Sequence, residues 1–295
     1  MRTNQIKSLD TFHKKTLKSA LRLSPYAPTC SLYFVTSQLP ITAQLHIEIF
    51  TLFYNVCSNP NTKIYDIVKY LLLNCGENSR TWCAHLKILS EMYNLDDPTL
   101  SMTSSIPVKR EYKENIKVKI TSYHERELRL KCKEYQSLEY FNTSILGLSG
   151  RPHPALTGVY TTKEVQIMRP HLKLLLGDYL LNSKKSRHRG GSPNCELCNK
   201  NLPETFQHFI SSCEILHDVR DKTKQKLREL CVSKGWNFIN DILINETLFT
   251  QFILDPTSMN LPKRINMNDK SINEVFTINR NFCSSIHHIR LKKIS

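Results

Sequence analysis

Within nineteen residues the chain places three cysteines and a histidine, Cys195, Cys198, His208 and Cys213, in the order C-x2-C-x9-H-x4-C. Thiolate and imidazole donors in this number suit zinc, which binds four such ligands tetrahedrally. The short Cys195 to Cys198 step lets one turn present two sulfurs to one ion. Asn199 follows directly, and its short polar side chain tolerates the left-handed backbone that such a knuckle needs. Pro203 and Glu204 suit the first turn of a helix that carries His208, with Cys213 at its far end. Four protein ligands leave no open position for a reactive water, so the expected site is structural, with one Zn2+ per chain. The plain alternative is a chance meeting of unpaired thiols and a helix histidine. His217 lies off the pattern and is expected on a helix surface. The other seven cysteines, Cys30, Cys57, Cys75, Cys83, Cys132, Cys231 and Cys283, stand singly in apolar or mixed segments and read as buried thiols.

A second chemistry is electrostatic. Forty-one Lys and Arg against 26 Asp and Glu give the 295-residue chain a formal charge of +15. Residues 101–190 hold 17 of the bases and 8 of the acids, so the excess sits in the middle. Such a field concentrates polyanions and points to RNA or DNA as the partner. Lys184, Lys185, Arg187 and Arg189 form a compact run just upstream of the cysteines. It reads either as a solvated, flexible linker before Gly190 and Gly191 or as a strap that contacts phosphates. Phe206 and Phe209 are the nearest aromatics for stacking on unpaired bases, although a core role suits both better.

The elements that must position these groups read as helices. Only 8 glycines argue against a glycine-rich nucleotide fold or tight-turned sheets, and 40% hydrophobic residues suffice for real cores. Leu45, Ile49, Leu52, Phe53 and Val56 recur at helical spacing, as do Ile64, Ile67, Val68, Leu71 and Leu72 after the turn around Pro60. Trp82, Leu86, Leu89 and Tyr93 make a third stripe that stops near Asp96, Asp97 and Pro98. A long charged helix spans Lys109 to about Tyr135, with Ile116, Ile120, Tyr123 and Leu130 on one face, either solvated or in contact with phosphates. LSGRPHP, residues 148–154, is the clearest internal break. Beyond it Thr161 and Glu164 have capping-box spacing ahead of Val165, Met168, Leu172, Leu175 and Tyr179, with a kink or restart expected at Pro170. Further helices are expected over about 241–254 and 272–289. The reading is an all-α multi-helix bundle: residues 1–105 a helical region, 106–190 a basic helical linker region, and 191–295 a CCHC knuckle with C-terminal helices. The N-terminus lacks a signal-peptide core and no apolar stretch has membrane length, so an intracellular location, nuclear or cytoplasmic, is expected.

The knuckle with ETFQHFISSC, the preceding HLKLLLGDYLLN, the earlier LPITAQLHIEIFTLFYNVCSNPNTKIYDIVKYLL and the segment SRTWCAHLKILSEMYNLDDP together resemble the C-terminal region of non-LTR (LINE-type) retrotransposon reverse transcriptases. The resemblance runs from about residue 10 to beyond 280. It implies a post-thumb helical linker and a zinc knuckle that hold template RNA or target DNA, with Cys195, Cys198, His208 and Cys213 as metal ligands. It does not extend to catalysis. RNA-directed DNA polymerases of that family need paired aspartates for two metal ions, and Asp96 and Asp97, placed after Leu95, read as a turn. No endonuclease domain fits the length either. A catalytically silent C-terminal fragment that binds nucleic acid is therefore expected. A zinc-stabilised protein-interaction module and a remnant without function are the alternatives.

Overall fold

The computed structural model describes residues 3–74, 76, 79–103, 107–144, 146–159, 161–259 and 270–294. The fold is all-α. Helices α1 (Thr3–Ala20), α2 (Thr29–Thr36), α3 (Ile41–Cys57), α4 (Lys63–Asn74), α5 (Trp82–Met92), α6 (Pro98–Ser101) and α7 (Lys109–Lys133) precede the loop that holds LSGRPHP. After it come α8 (Thr162–Leu175), α9 (Asn182–Arg189), α10 (His217–Ser233), α11 (Ile239–Ile244), α12 (Glu246–Leu254) and α13 (Lys270–Ile294). Among the described residues, one isolated antiparallel bridge, Asn194 with Pro203, is the β-type pairing seen outside helices. No helix among them is long and apolar enough to cross a membrane.

The chain divides into two compact units. One comprises Met1–His13 and Gln38–Leu128, the other Lys14–Ser37 and Arg129–Ser295. The division falls inside α1 and α7.

In the first unit Phe50, Phe53, Leu72, Leu86, Leu89, Tyr93, Ile116 and Ile120 form the core. The third stripe and the α7 face are as their spacing implies, apart from Leu130, which is exposed where Leu128 is buried. The α3 face is rotated from the expected one: Ala43, His46, Phe50, Phe53 and Cys57 are buried, while Leu52 is 55% exposed. The reason is polar. His46 Nδ1 lies 2.6 Å from the Tyr93 hydroxyl, which also meets His124 Nε2 at 3.1 Å, so an imidazole can occupy a core position because it finds a partner there. On α4 the buried face narrows to Val68 and Leu72, and Ile64 and Ile67 are exposed. Asp97 accepts from Thr99 N at 2.7 Å and caps α6, so the Asp96–Asp97 pair belongs to a helix entry.

In the second unit α13 contacts α8, α10 and α12. Its buried Ile272, Val275, Phe276, Asn279, Phe282, Cys283 and Ile286 recur every three to four residues, which is one helical face. The Thr161–Glu164 capping box forms in both directions, and α8 continues through Pro170 without ending there. It stops at Gly177, whose φ of +65° favours glycine and where a Cβ would lie 2.6 Å from the Ser137 carbonyl oxygen. The LSGRPHP loop is no boundary. His153 N donates to Val35 O at 2.8 Å, and the buried His153 ring meets Asp255 at 3.3 Å. Of the singly placed cysteines, Cys30, Cys57, Cys83, Cys132, Cys231 and Cys283 are buried, and Cys75 lies outside the described residues.

One fold feature predicts a pH response. His171 in α8 is fully buried, with Nε2 2.9 Å from Leu254 O and 3.0 Å from Ile253 O. Burial pulls its pKa down to about 4, with Arg280 and His153 acting in the same sense and the two carbonyls opposing. A protonated ring would also carry an Nδ1 hydrogen with no acceptor among the described residues. The folded value lies below the ordinary 6.5, so the unfolded chain binds the extra proton first. Stability is complete above pH 6.5 and falls toward pH 4, by a contribution on the order of 3 kcal/mol over that window. Histidine NMR should find this ring neutral down to about pH 5; a titration midpoint near 6.5 would contradict the assignment.

Candidate metal centre

The chain enters the knuckle as a short ribbon. Cys195 N donates to Leu202 O at 2.8 Å and Glu204 N donates to Pro193 O at 2.9 Å, on either side of the Asn194–Pro203 bridge. Between these rungs the backbone must reverse, and Asn199 and Asn201 both adopt φ of +53° to do so. The left-handed turn expected at Asn199 is present, with a second asparagine sharing the strain.

Pro203 and Glu204 belong to this ribbon instead of opening a helix. The helix begins after Thr205, whose side chain accepts from His208 N at 3.1 Å while its carbonyl accepts from Phe209 N at 2.9 Å. His208–Ser212 is then a π turn, closed by Cys213 N donating to His208 O at 2.7 Å. Five residues at the usual 100° per residue would carry Cys213 about 140° away from His208, and a wider turn reduces that angle. The x4 spacing thus delivers both ligands to one side.

The four ligand atoms lie within 4.8 Å of one another. Cys195 Sγ is 4.0 Å from Cys213 Sγ, and Cys198 Sγ is 3.5 Å from His208 Nε2. A tetrahedral zinc with ordinary bond lengths needs roughly 3.8 Å between sulfurs and 3.6 Å between sulfur and nitrogen. The donor set therefore fits one such ion, with all four positions filled by protein. Cys195, His208 and Cys213 are buried and Cys198 partly so. Burial pushes the Cys213 thiol up to about 12, with the neighbouring Cys195 and Cys198 adding to the rise, and it also raises Cys195 and lowers His208. Cys195 and Cys213, crowded out of water, hold their protons until a cation replaces them.

Two arginines that nothing in the sequence singled out hold this knuckle in place. Arg220 of α10 is buried and donates from Nε to Ile210 O at 3.0 Å and from Nη2 to Cys213 O at 2.5 Å. These are carbonyls that the end of the π turn leaves without helical partners. Arg290 of α13 grips the fully buried Glu204 through two bonds of 2.8 Å. The same carboxylate accepts from Asn182 N at 2.7 Å, at the start of α9. Asn182 Nδ2 donates to Asn194 O at 2.9 Å, and Ser183 donates to Glu204 O at 2.7 Å. One carboxylate so joins the knuckle, the helix before it and the last helix of the chain.

Searched against family models, curated proteins and solved structures, the chain matches none.

The basic run is helical, which removes the flexible-linker reading. Lys184 is half-buried and donates to Gly177 O, and burial lowers its pKa against the opposing pull of Asp178. Arg187 is exposed, donating to Ser183 O at 3.2 Å and to the Gln136 side chain. Lys185 is partly exposed, and the Arg189 side chain lies outside the described residues. On α7 Lys113, Lys117, Lys131 and Lys133 are exposed, whereas Arg129 donates inward to Thr143 O and Leu146 O. Phe206 and Phe209 are both core residues, Phe209 stacked on Tyr179 with centroids 5.6 Å apart. Neither offers a face to a base. His217 is exposed and pairs with Asp221, off the site as expected.

Proposed function

We propose that the chain is a zinc-stabilised, nucleic-acid-binding part of a non-LTR retrotransposon reverse transcriptase, the C-terminal part without polymerase or endonuclease chemistry. The observation that carries this reading is the closed Cys195, Cys198, His208, Cys213 set, whose donor separations suit a single tetrahedral zinc, joined by Glu204 to the basic helix α9. The ion is structural in this reading, fixing the knuckle against α10 and α13. Binding goes mainly through phosphates, because the aromatics near the knuckle are committed to the core and the chain carries +15.

Titration of the zinc-loaded protein against a single-stranded RNA and a duplex DNA, across a range of salt, tests it. Affinity is expected to fall with a slope of about 0.7 to 0.9 per phosphate neutralised. Replacing Lys184, Lys185, Arg187 and Arg189 by Ala should weaken binding to unrelated sequences alike and lower the slope by roughly one for each phosphate no longer neutralised. Unchanged affinity and slope for both nucleic acids would remove α9 from the interface.

A second reading, a zinc-stabilised protein-interaction module, is favoured by α4, where Ile64, Ile67, Tyr70 and Leu73 are each more than half exposed. Absence of nucleic-acid binding in the same titration would put it first.

A further inference from the structure

In the first unit a cavity of about 390 Å³ opens beside α3, α5 and α7, within the size range of small-molecule sites. Phe50 and Phe53 supply a buried apolar lining. Ser90 lines it as well, 2% exposed, and its hydroxyl has no hydrogen-bond partner among the described residues. A buried hydroxyl left in this state costs about 1–3 kcal/mol, which a ligand group could relieve. Tyr54 and Tyr112 stand next to each other with centroids 4.9 Å apart, the Tyr54 hydroxyl fixed by donating to Pro107 O at 3.1 Å. Burial raises the Tyr112 pKa, with Cys57 and Asp96 adding to the rise, so this wall stays an uncharged phenol at neutral pH.

The charged side chains of the lining are Asp96 and Glu111, both exposed and both acidic. In a protein of +15 the charges of this lining are of the opposite sign, which disfavours a phosphate inside the cavity. An apolar base, a polar atom in want of a partner, two aromatic rings and two carboxylates describe a receptor for positive charge on an apolar body.

We propose that this cavity binds an organic cation, an amine or guanidinium borne on an aromatic or branched apolar group. The apolar part enters against Phe50 and Phe53, the rings of Tyr54 and Tyr112 flank it, and the cationic end meets Asp96 and Glu111. The metal centre belongs to the other unit.

Calorimetric titration of the full-length zinc-loaded chain at low salt, with tryptamine and with indole-3-propionate, provides the test. The two probes share the indole and differ in the sign of charge. Tryptamine is expected to bind at least about ten-fold more tightly than the carboxylate. The surface pair Asp96→Asn with Glu111→Gln should erase that preference without changing the circular dichroism, and Ser90→Phe should fill the cavity and abolish binding. No tryptamine binding, equal affinity for both probes, or a preference that survives the double amide variant overturns the proposal.

Discussion

Cys195→Ser and His208→Ala are each expected to abolish stoichiometric metal binding and to unfold the knuckle. Metal analysis of the reconstituted wild-type chain should return one zinc per chain. In the variants, amide hydrogen exchange should lose protection from the Asn194–Pro203 bridge through the π turn at His208–Ser212. The magnitude follows from how little else holds this segment. Its ribbon has few backbone rungs, and two of its residues sit at positive φ. Structural zinc supplies on the order of 10 kcal/mol in small knuckles, and binding energy there is folding energy. A chelator should reproduce the effect in the wild type, and the melting temperature should then fall toward that of the variants. Zinc content well below one equivalent after reconstitution would refute the assignment.

The second large effect is expected at Glu204 and Arg290. Arg290→Met leaves a fully buried carboxylate without its counter-charge, and Glu204→Leu leaves a buried guanidinium in the same position. Each single change should cost about 3–5 kcal/mol in denaturant unfolding of the zinc-loaded chain. The double variant should recover most of that loss, because an apolar pair of similar volume removes both desolvated charges. The remaining deficit, about 1–3 kcal/mol, is assigned to Asn182 N, which loses its acceptor. Single-variant costs below about 1 kcal/mol would mean that the pair behaves as a solvated surface bridge.

Residue order reveals whatever depends on local spacing. The cysteine–histidine set, the left-handed Asn199, the capping box at Thr161 and most helical stripes are of that kind, since periodicity and turn chemistry act over a few residues. The α3 face escapes such a reading because aliphatic spacing ignores His46, whose burial is permitted by a tyrosine 47 positions later. The knuckle helix starts later than composition suggests because Pro203 and Glu204 suit a first turn but are taken by the ribbon that pairs with Asn194. Arg220 and Arg290 give no signal at all, and Glu204 none of its pairing with Arg290. Their roles rest on partners up to 86 residues away, and a lone buried charge looks like any other charge in a basic chain.

The order in which the chain emerges during synthesis matters for the second unit. All but the ends of α2 is buried, and its tie to His153 and the neighbouring tie from Ser24 to Asp178 span more than a hundred residues. At ordinary elongation rates of 5–20 residues per second, α2 waits roughly 6–30 s for those partners. During that interval Leu32, Tyr33, Phe34 and Val35 have only the short stretch from Lys14 onward of their own unit beside them. Dissection meets the same fact in another form. A piece cut to start at residue 129 carries the metal ligands but discards a helix that its core was built around, and a piece ending at 128 keeps that helix with no core to receive it.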